Sequence, residues 1–243
     1  MKAITDSARE FLAREISLLG EEKVIKLLNS SVTVAGLGGV GGYVCEMLAR
    51  AGVGRLALID FDIVSPSNRN RQIIALSSTT GRKKTDVMLE RVSDINPECE
   101  VFALDAFITK ENAAELLTRC GTGIVVDAID NVSAKAALVM AARDQGKYIF
   151  SSMGTGNKLS TSGYKITDIS QTRGCGLARA VRRELRKNGI DRLDVLFSEE
   201  TITKQPGGER VPSSICYMPS TAGLLISEYI IKKIISDDVK GTF

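Results

Sequence analysis

The sequence has no histidine. That absence removes Ser-His-Asp triads, Cys-His pairs and histidine-ligated metal centres from the chemistry open to it. Cysteine is sparse: five residues, at positions 45, 99, 120, 175 and 216, none in a C-x-x-C pair. Neither a tetrathiolate zinc site nor a C-x-x-C redox centre is expected. The odd count points to free thiols, with Cys45, Cys99 and Cys120 as small packing residues. No run approaches the roughly 18 apolar residues that cross a membrane. The N-terminal stretch MKAITDSAREFLAREISLLGEE carries charges throughout and does not read as a secretory signal. A cytoplasmic protein that engages no membrane is expected.

What is present is the balance of an ordinary globular chain. Its 243 residues are 44% hydrophobic and 25% charged, enough for one large α/β unit. The net charge of +3 neither demands nor excludes nucleic acid. Residues 7–29 read as short helices. From Val32 apolar strands and amphipathic helices then alternate, with strands at 32–35, 56–60, 99–105, 123–130 and 148–154. Helices are expected at 39–51, 82–97, 110–120 and 132–146 between and after them. Beyond Gly154 the rhythm changes: strands at 163–169 and 193–200, a basic helix at 175–189, a polar loop at 204–213 and a final amphipathic helix at 220–236. This pattern predicts an α/β fold, a Rossmann-like, mostly parallel sheet with helices on both faces and a C-terminal α+β extension. Residues 1–243 read as a single unit: N-terminal helices at 1–29, a nucleotide-binding core at 30–153, and a substrate-side lobe with the final helix at 154–243.

Directly after the first strand comes GLGGVG, Gly36 to Gly41, a G-x-G-x-x-G loop that opens a helix. Gly36 permits the tight turn, Gly38 lets phosphate approach the backbone, and Gly41 lets helix and sheet pack closely. The free N–H groups of the helix N-terminus favour anionic phosphate. Asp60 ends the next strand, where a ribose hydroxyl is accepted. Glycines alone do not separate NAD from ATP.

The next segment does. DFDIVSPSNRNRQ packs Asp60, Asp62, Asn68, Arg69, Arg71 and Gln72 into one loop, and Lys84 follows at a helix start. VVDAIDN puts Asp127 and Asp130 at the carboxyl end of a buried strand, the edge where open α/β sheets bind ligands. Arginine and lysine neutralise charge on a triphosphate, and a rim aspartate suits Mg²⁺. This density fits an adenylating site better than hydride transfer.

GLGGVGG, LIDFDIVSPSNRNRQ, GRKKTDV and VVDAIDN together resemble the ubiquitin-activating-like (E1-like) adenylating family, which includes the bacterial ThiF, MoeB and HesA proteins. Two further stretches, FSSMGTGNKLSTSGYKITDISQT and LARAVRRELRKNGI, resemble its tRNA threonylcarbamoyladenosine dehydratase branch. The resemblance runs from about Phe11 to Ile235. It implies that Gly36, Gly38, Gly39 and Gly41 face the ATP phosphates, that Asp60 binds ribose, and that Asn68, Arg71 and Lys84 hold the triphosphate. It implies Mg²⁺ on Asp130 and a homodimer in which Arg14 reaches the partner's ATP. It further implies ATP-dependent cyclisation of threonylcarbamoyladenosine in tRNA through an acyl-adenylate. Cys216 falls near where some members carry a functional cysteine, and Cys175 is a second thiol to follow. Sulfur-relay proteins are possible partners on the same ground; DNA is not expected.

The chain departs from ThiF- and MoeB-type members in lacking two zinc-binding C-x-x-C pairs. That favours the tRNA branch over activation of a small sulfur-carrier protein, which stays the first alternative. An NAD(P)-dependent dehydrogenase and a non-catalytic nucleotide-sensing scaffold are the others. The stretch from Arg173 to Arg192 is basic, with Arg182, Arg183, Arg186 and Lys187 as candidate contacts to RNA phosphates. An ordinary solvated helix face has the same composition.

Overall fold

Strands that alternate large apolar residues with small or differently facing ones need cover on both sides, and this chain supplies it. The computed structural model describes residues 3–201 and 212–237. Seven strands form one sheet: β1 (Ser31–Ala35), β2 (Arg55–Asp60), β3 (Glu100–Asp105), β4 (Ile124–Asp127), β5 (Tyr148–Ser152), β6 (Tyr164–Asp168) and β7 (Asp194–Ser198). Their spatial order is β3-β2-β1-β4-β5-β7-β6. All neighbours are parallel except β6, which runs antiparallel to β7 at the edge. The expected C-terminal extension therefore lengthens the same sheet instead of folding as a separate layer.

The helices divide between the faces. α6 (Ala113–Cys120), α7 (Val132–Asp144) and α8 (Gly176–Lys187) cover one side, where Leu116, Ala137 and Val181 meet Ala57, Ile59, Ile149 and Val195. α4 (Gly41–Arg50), α5 (Lys84–Ile95) and α9 (Tyr217–Ile235) cover the other, where Val44, Met88 and Ile226 meet Val32, Val34, Leu56, Leu58 and Phe150. Residues two apart along β1, β2 and β5 share a face, as the pleat requires. Three short helices, α1 (Asp6–Phe11), α2 (Ala13–Leu19) and α3 (Glu21–Leu28), precede β1 and close a small cluster around Leu12, Val24 and Leu28.

Several elements differ from the expected bounds: α9 begins at Tyr217, ahead of the expected 220, while others are shorter. α4 starts at Gly41 instead of Gly39 because Gly36–Val40 form the turn that enters it. β4 ends at Asp127, and Ala128–Asp130 leave the sheet as loop. Most of the polar loop expected at 204–213 lies outside the described residues. Among the described residues no helix is long and apolar enough to cross a membrane.

Candidate functional site

β1 leads outward to β2 on one side, while β4 leads to β5 on the other. The strand order therefore reverses between β1 and β4, and a crevice opens at their carboxyl ends. There lies a cleft of about 580 Å³, within the range of sites for small organic ligands. Gly36, Gly38, Gly39, Asp60, Asn68, Arg71, Lys84 and Asp130 all line it.

Each glycine of the loop meets a different constraint. Gly36 has φ +87°, and a Cβ there would sit 2.8 Å from the Ala128 carbonyl oxygen across the crevice. A Cβ on Gly38 would meet nothing nearer than Gln72 Nε2 at 3.8 Å, so this position faces open cleft. Gly41 corrects the sequence expectation: it does not line the cleft. A Cβ on it would fall 1.8 Å from the Gly36 carbonyl oxygen. The close loop-to-helix packing expected of this position is what the structure shows there.

Asp60 is buried at the cleft wall, with one oxygen accepting the Leu37 N–H at 2.6 Å and the other the Asp62 N–H at 2.8 Å. It ties β2 to the glycine loop, and each carboxylate oxygen retains a lone-pair site for a ligand hydroxyl. Asn68 Oδ1 accepts the Ser65 N–H at 3.1 Å and closes a 3-10 turn. Arg71 Nη1 donates to the Ser67 carbonyl at 2.9 Å and to Asn70 Oδ1 at 2.8 Å. These bonds fix the guanidinium with no carboxylate against it among the described residues. Lys84 is buried at the first turn of α5, with Nζ 2.8 Å from Asp62 Oδ2. α4 and α5, which carry the loop and Lys84, are joined through Glu46. Its carboxylate accepts from Arg91 Nε at 2.6 Å and Arg50 Nη2 at 2.7 Å. Burial pushes the Glu46 carboxyl up, but these hydrogen bonds outweigh it and hold it below the usual carboxylate range.

The two aspartates of DAIDN separate. Asp130 is exposed in the cleft. Asp127 is not a cleft residue, contrary to the sequence reading. It is fully buried, with Oδ2 bonded to Lys135 Nζ at 3.0 Å and to Ser151 Oγ at 2.5 Å. Lys135 also donates to the Ser152 carbonyl at 2.7 Å. Asp127 Oδ1 takes the Ile129 N–H at 3.0 Å, and Asn131 Oδ1 caps α7 through Ala134 N–H at 3.0 Å. Asp130 thus projects from a turn clamped on both sides.

Sequence reasoning missed three contributors, Phe61, Phe107 and Ser214. Phe61 and Phe107, both about half exposed, meet edge to face with centroids 4.8 Å apart on the cleft wall. Such faces take a planar base. Gln72 and Ser214 line the cleft, and Gln72 Oε1 and Ser214 Oγ are the buried side-chain polar atoms without a hydrogen-bond partner among the described residues. Native folds rarely leave such atoms unpaired unless something else meets them. Gln72 stood in the charged loop and was legible by position; the aromatic pair was not, because Phe107 lies 46 residues after Phe61 in a loop beyond β3.

The remaining expected residues lie outside the cleft. Arg14 is exposed on α2. Cys216 is an exposed free thiol beside the start of α9. Cys175 is buried and caps α8, its Sγ accepting the Ala178 N–H at 3.5 Å. On α8, Arg182 is half-buried and donates inward, Arg183 is exposed, Arg186 pairs with Asp191 at 3.7 Å and Lys187 with Glu184 at 2.7 Å. Among the described residues no group of three or more histidine, cysteine, aspartate or glutamate side chains forms a metal cluster.

The ThiF family profile matches residues 12–242. The chain is 38% identical over 244 residues to the tRNA threonylcarbamoyladenosine dehydratase of Bacillus subtilis, covering 94% of this chain and 95% of that one. The crystal structure of the Escherichia coli tRNA N6-threonylcarbamoyladenosine dehydratase, TcdA, in complex with AMP superposes with a TM-score of 0.91 at 31% identity, covering 98% of this chain and 99% of that one. The same protein in complex with ATP gives 0.90 at 32% identity, covering 98% of each chain. With a profile match over nearly its whole length and relatives of this closeness, the chain belongs to the ThiF family.

Proposed function

We propose that the chain is an ATP-dependent tRNA threonylcarbamoyladenosine dehydratase. The observation that carries the reading is the end-to-end likeness to dehydratases, joined to a cleft whose polar side chains suit a nucleoside triphosphate. The threonine carboxylate of the modified nucleoside attacks the α-phosphorus of ATP, and pyrophosphate leaves. The carbamoyl nitrogen then attacks the acyl-adenylate carbonyl, AMP leaves, and a hydantoin ring closes with net loss of water.

In this reading Gly38 and Gly39 let the phosphates approach the backbone. Asn68, Arg71 and Lys84 orient the triphosphate and offset charge as pyrophosphate departs. Asp60 takes a ribose hydroxyl, and Phe61 and Phe107 flank the adenine. The exposed carboxylate of Asp130 at the rim fits Mg²⁺, which binds through one or two carboxylates plus substrate phosphates. Bound there, the ion would offset phosphate charge. No residue acts as a histidine-type base; positioning and fixed charge supply the catalysis. Arg14 completes the site of the partner in a homodimer. Cys216 has no role in these steps. We treat residues 30–153 as the nucleotide-binding part and 154–243 as the substrate side of one unit, acting on tRNA in the cytoplasm. Docking of a sulfur-relay protein remains a proposal that no step requires.

The test is incubation with ATP, Mg²⁺ and tRNA carrying threonylcarbamoyladenosine, followed by mass spectrometry of the nucleosides. Loss of one water from the modified adenosine is expected. An unchanged nucleoside, together with ATP-dependent adenylation of a sulfur-carrier C-terminus, overturns the reading in favour of the carrier-activating alternative.

A further inference from the structure

A second concavity, about 130 Å³, is lined by Arg173, Arg179 and Arg182 together with Thr172, Cys175 and the glycines around it. No carboxylate lines it, and none of the three arginines forms an ion pair among the described residues. Toward the C-terminal end of the same helix Arg186 pairs with Asp191 and Lys187 with Glu184, while Arg183 is exposed outside the hollow. Three like charges around one hollow repel unless an anion joins them.

The group is also built. Arg182 Nη1 donates to the Ile169 carbonyl at 3.0 Å, the Thr172 carbonyl at 3.1 Å and Thr172 Oγ1 at 2.7 Å. Its fork is thereby fixed, with Nε and Nη2 left without a hydrogen bond among the described residues. Planar forks of this kind match phosphate oxygens. The hollow adjoins the cleft. Gly154 and Leu177 line the cleft, and a Cβ on Gly154 would lie 3.7 Å from Leu177 Cβ and 3.8 Å from Cys175 Sγ, which lines the hollow. Arg186 and Lys187 lie about 14 Å further along the helix from Leu177, so they are not part of this group.

We propose that this hollow binds one phosphodiester of the RNA strand beside the nucleotide whose modified base enters the cleft. The proposal rests on the tRNA reading of the cleft. Phosphate could instead come from ATP or pyrophosphate, and the test separates the two sources.

Binding of a labelled, unmodified tRNA transcript is measured by fluorescence anisotropy between about 50 and 200 mM salt, with ATP affinity by titration in parallel. Arg173 and Arg179 are exposed, so the Arg173→Gln/Arg179→Gln variant should fold, and an unchanged thermal midpoint verifies it. Its tRNA affinity should fall about tenfold at low salt and its log–log salt slope by about 1, with ATP affinity unchanged. The Arg173→Lys/Arg179→Lys variant should keep the slope and recover part of the affinity. Unchanged tRNA affinity and slope overturn the subsite, and so does a loss confined to ATP. Dehydration by the wild-type protein is read separately by nucleoside mass spectrometry. If wild type binds tRNA through these arginines but dehydrates nothing, the functional reading fails and the subsite stands. If it turns over and the arginines are silent, the reverse holds.

Discussion

Lys135 Nζ lies 3.0 Å from Asp127 Oδ2, and both side chains are fully buried. The pair joins α7 to the end of β4, and through Ser151 and the Ser152 carbonyl to β5. It holds the base of the turn that carries Asp130. Removing one partner leaves a buried charge alone, which typically costs about 3–5 kcal/mol. Lys135→Met and Asp127→Asn should each lower unfolding free energy by that order in urea titration. If either variant matches wild type, the pair does not hold this turn.

Gly38→Ala and Gly41→Ala should behave oppositely. The Gly38 Cβ position is open, so alanine should leave the fold unchanged or stabilise it by about 0.4–1 kcal/mol, while ATP affinity drops. The Gly41 Cβ position collides with backbone, and alanine should destabilise by about 1–3 kcal/mol or more. Equal ATP affinity in Gly38→Ala would contradict close phosphate approach at that residue.

Gln72 presents a buried acceptor with no partner among the described residues. Replacing an unsatisfied group by an apolar one of similar shape is close to neutral or favourable for the free protein. Gln72→Leu should therefore keep or raise the thermal midpoint, yet weaken ligand binding by up to about tenfold. Unchanged affinity for both ATP and tRNA would show that nothing meets Gln72 Oε1.

Asp130 is exposed and carries no bond to the rest of the protein among the described residues. Asp130→Ala should change stability by less than about 0.5 kcal/mol and reduce turnover about 100-fold or more, with a raised Mg²⁺ requirement. Full activity in this variant refutes the metal assignment.

The Glu46 carboxyl is held below its ordinary value in the folded state. A depressed carboxylate contributes stability that is present above its unfolded value and is lost as pH falls through the folded one. Glu46→Gln should be less stable than wild type at pH 7, and the gap should close below about pH 4. Unfolding titrations across that range check it; a gap that is constant with pH would leave the carboxylate without this role.

The sequence by itself determined the features that spacing encodes. The glycine loop between strand and helix, Asp60 at the next strand end, and the Asn68–Gln72 loop are local, because a turn or cap needs its residues within a few positions. Apolar alternation likewise fixed the strands and the two-sided cover. Tertiary structure alone decided which of two neighbouring aspartates lines the cleft. Asp127 and Asp130 are three residues apart, and only the β4–β5 register, which sets Asp127 beside Ser151, and the approach of Lys135 turn the first inward. A lysine in a helix reads as solvated until its neighbours are known, so Lys135 was invisible. The basic stretch was legible as charge, but the helix face decides its use: Arg182 is turned to Ile169 and Thr172, while Arg186 and Lys187 pair on the surface. Pairing Phe61 with Phe107 also required the fold, since a contact between distant residues leaves no local pattern in one chain.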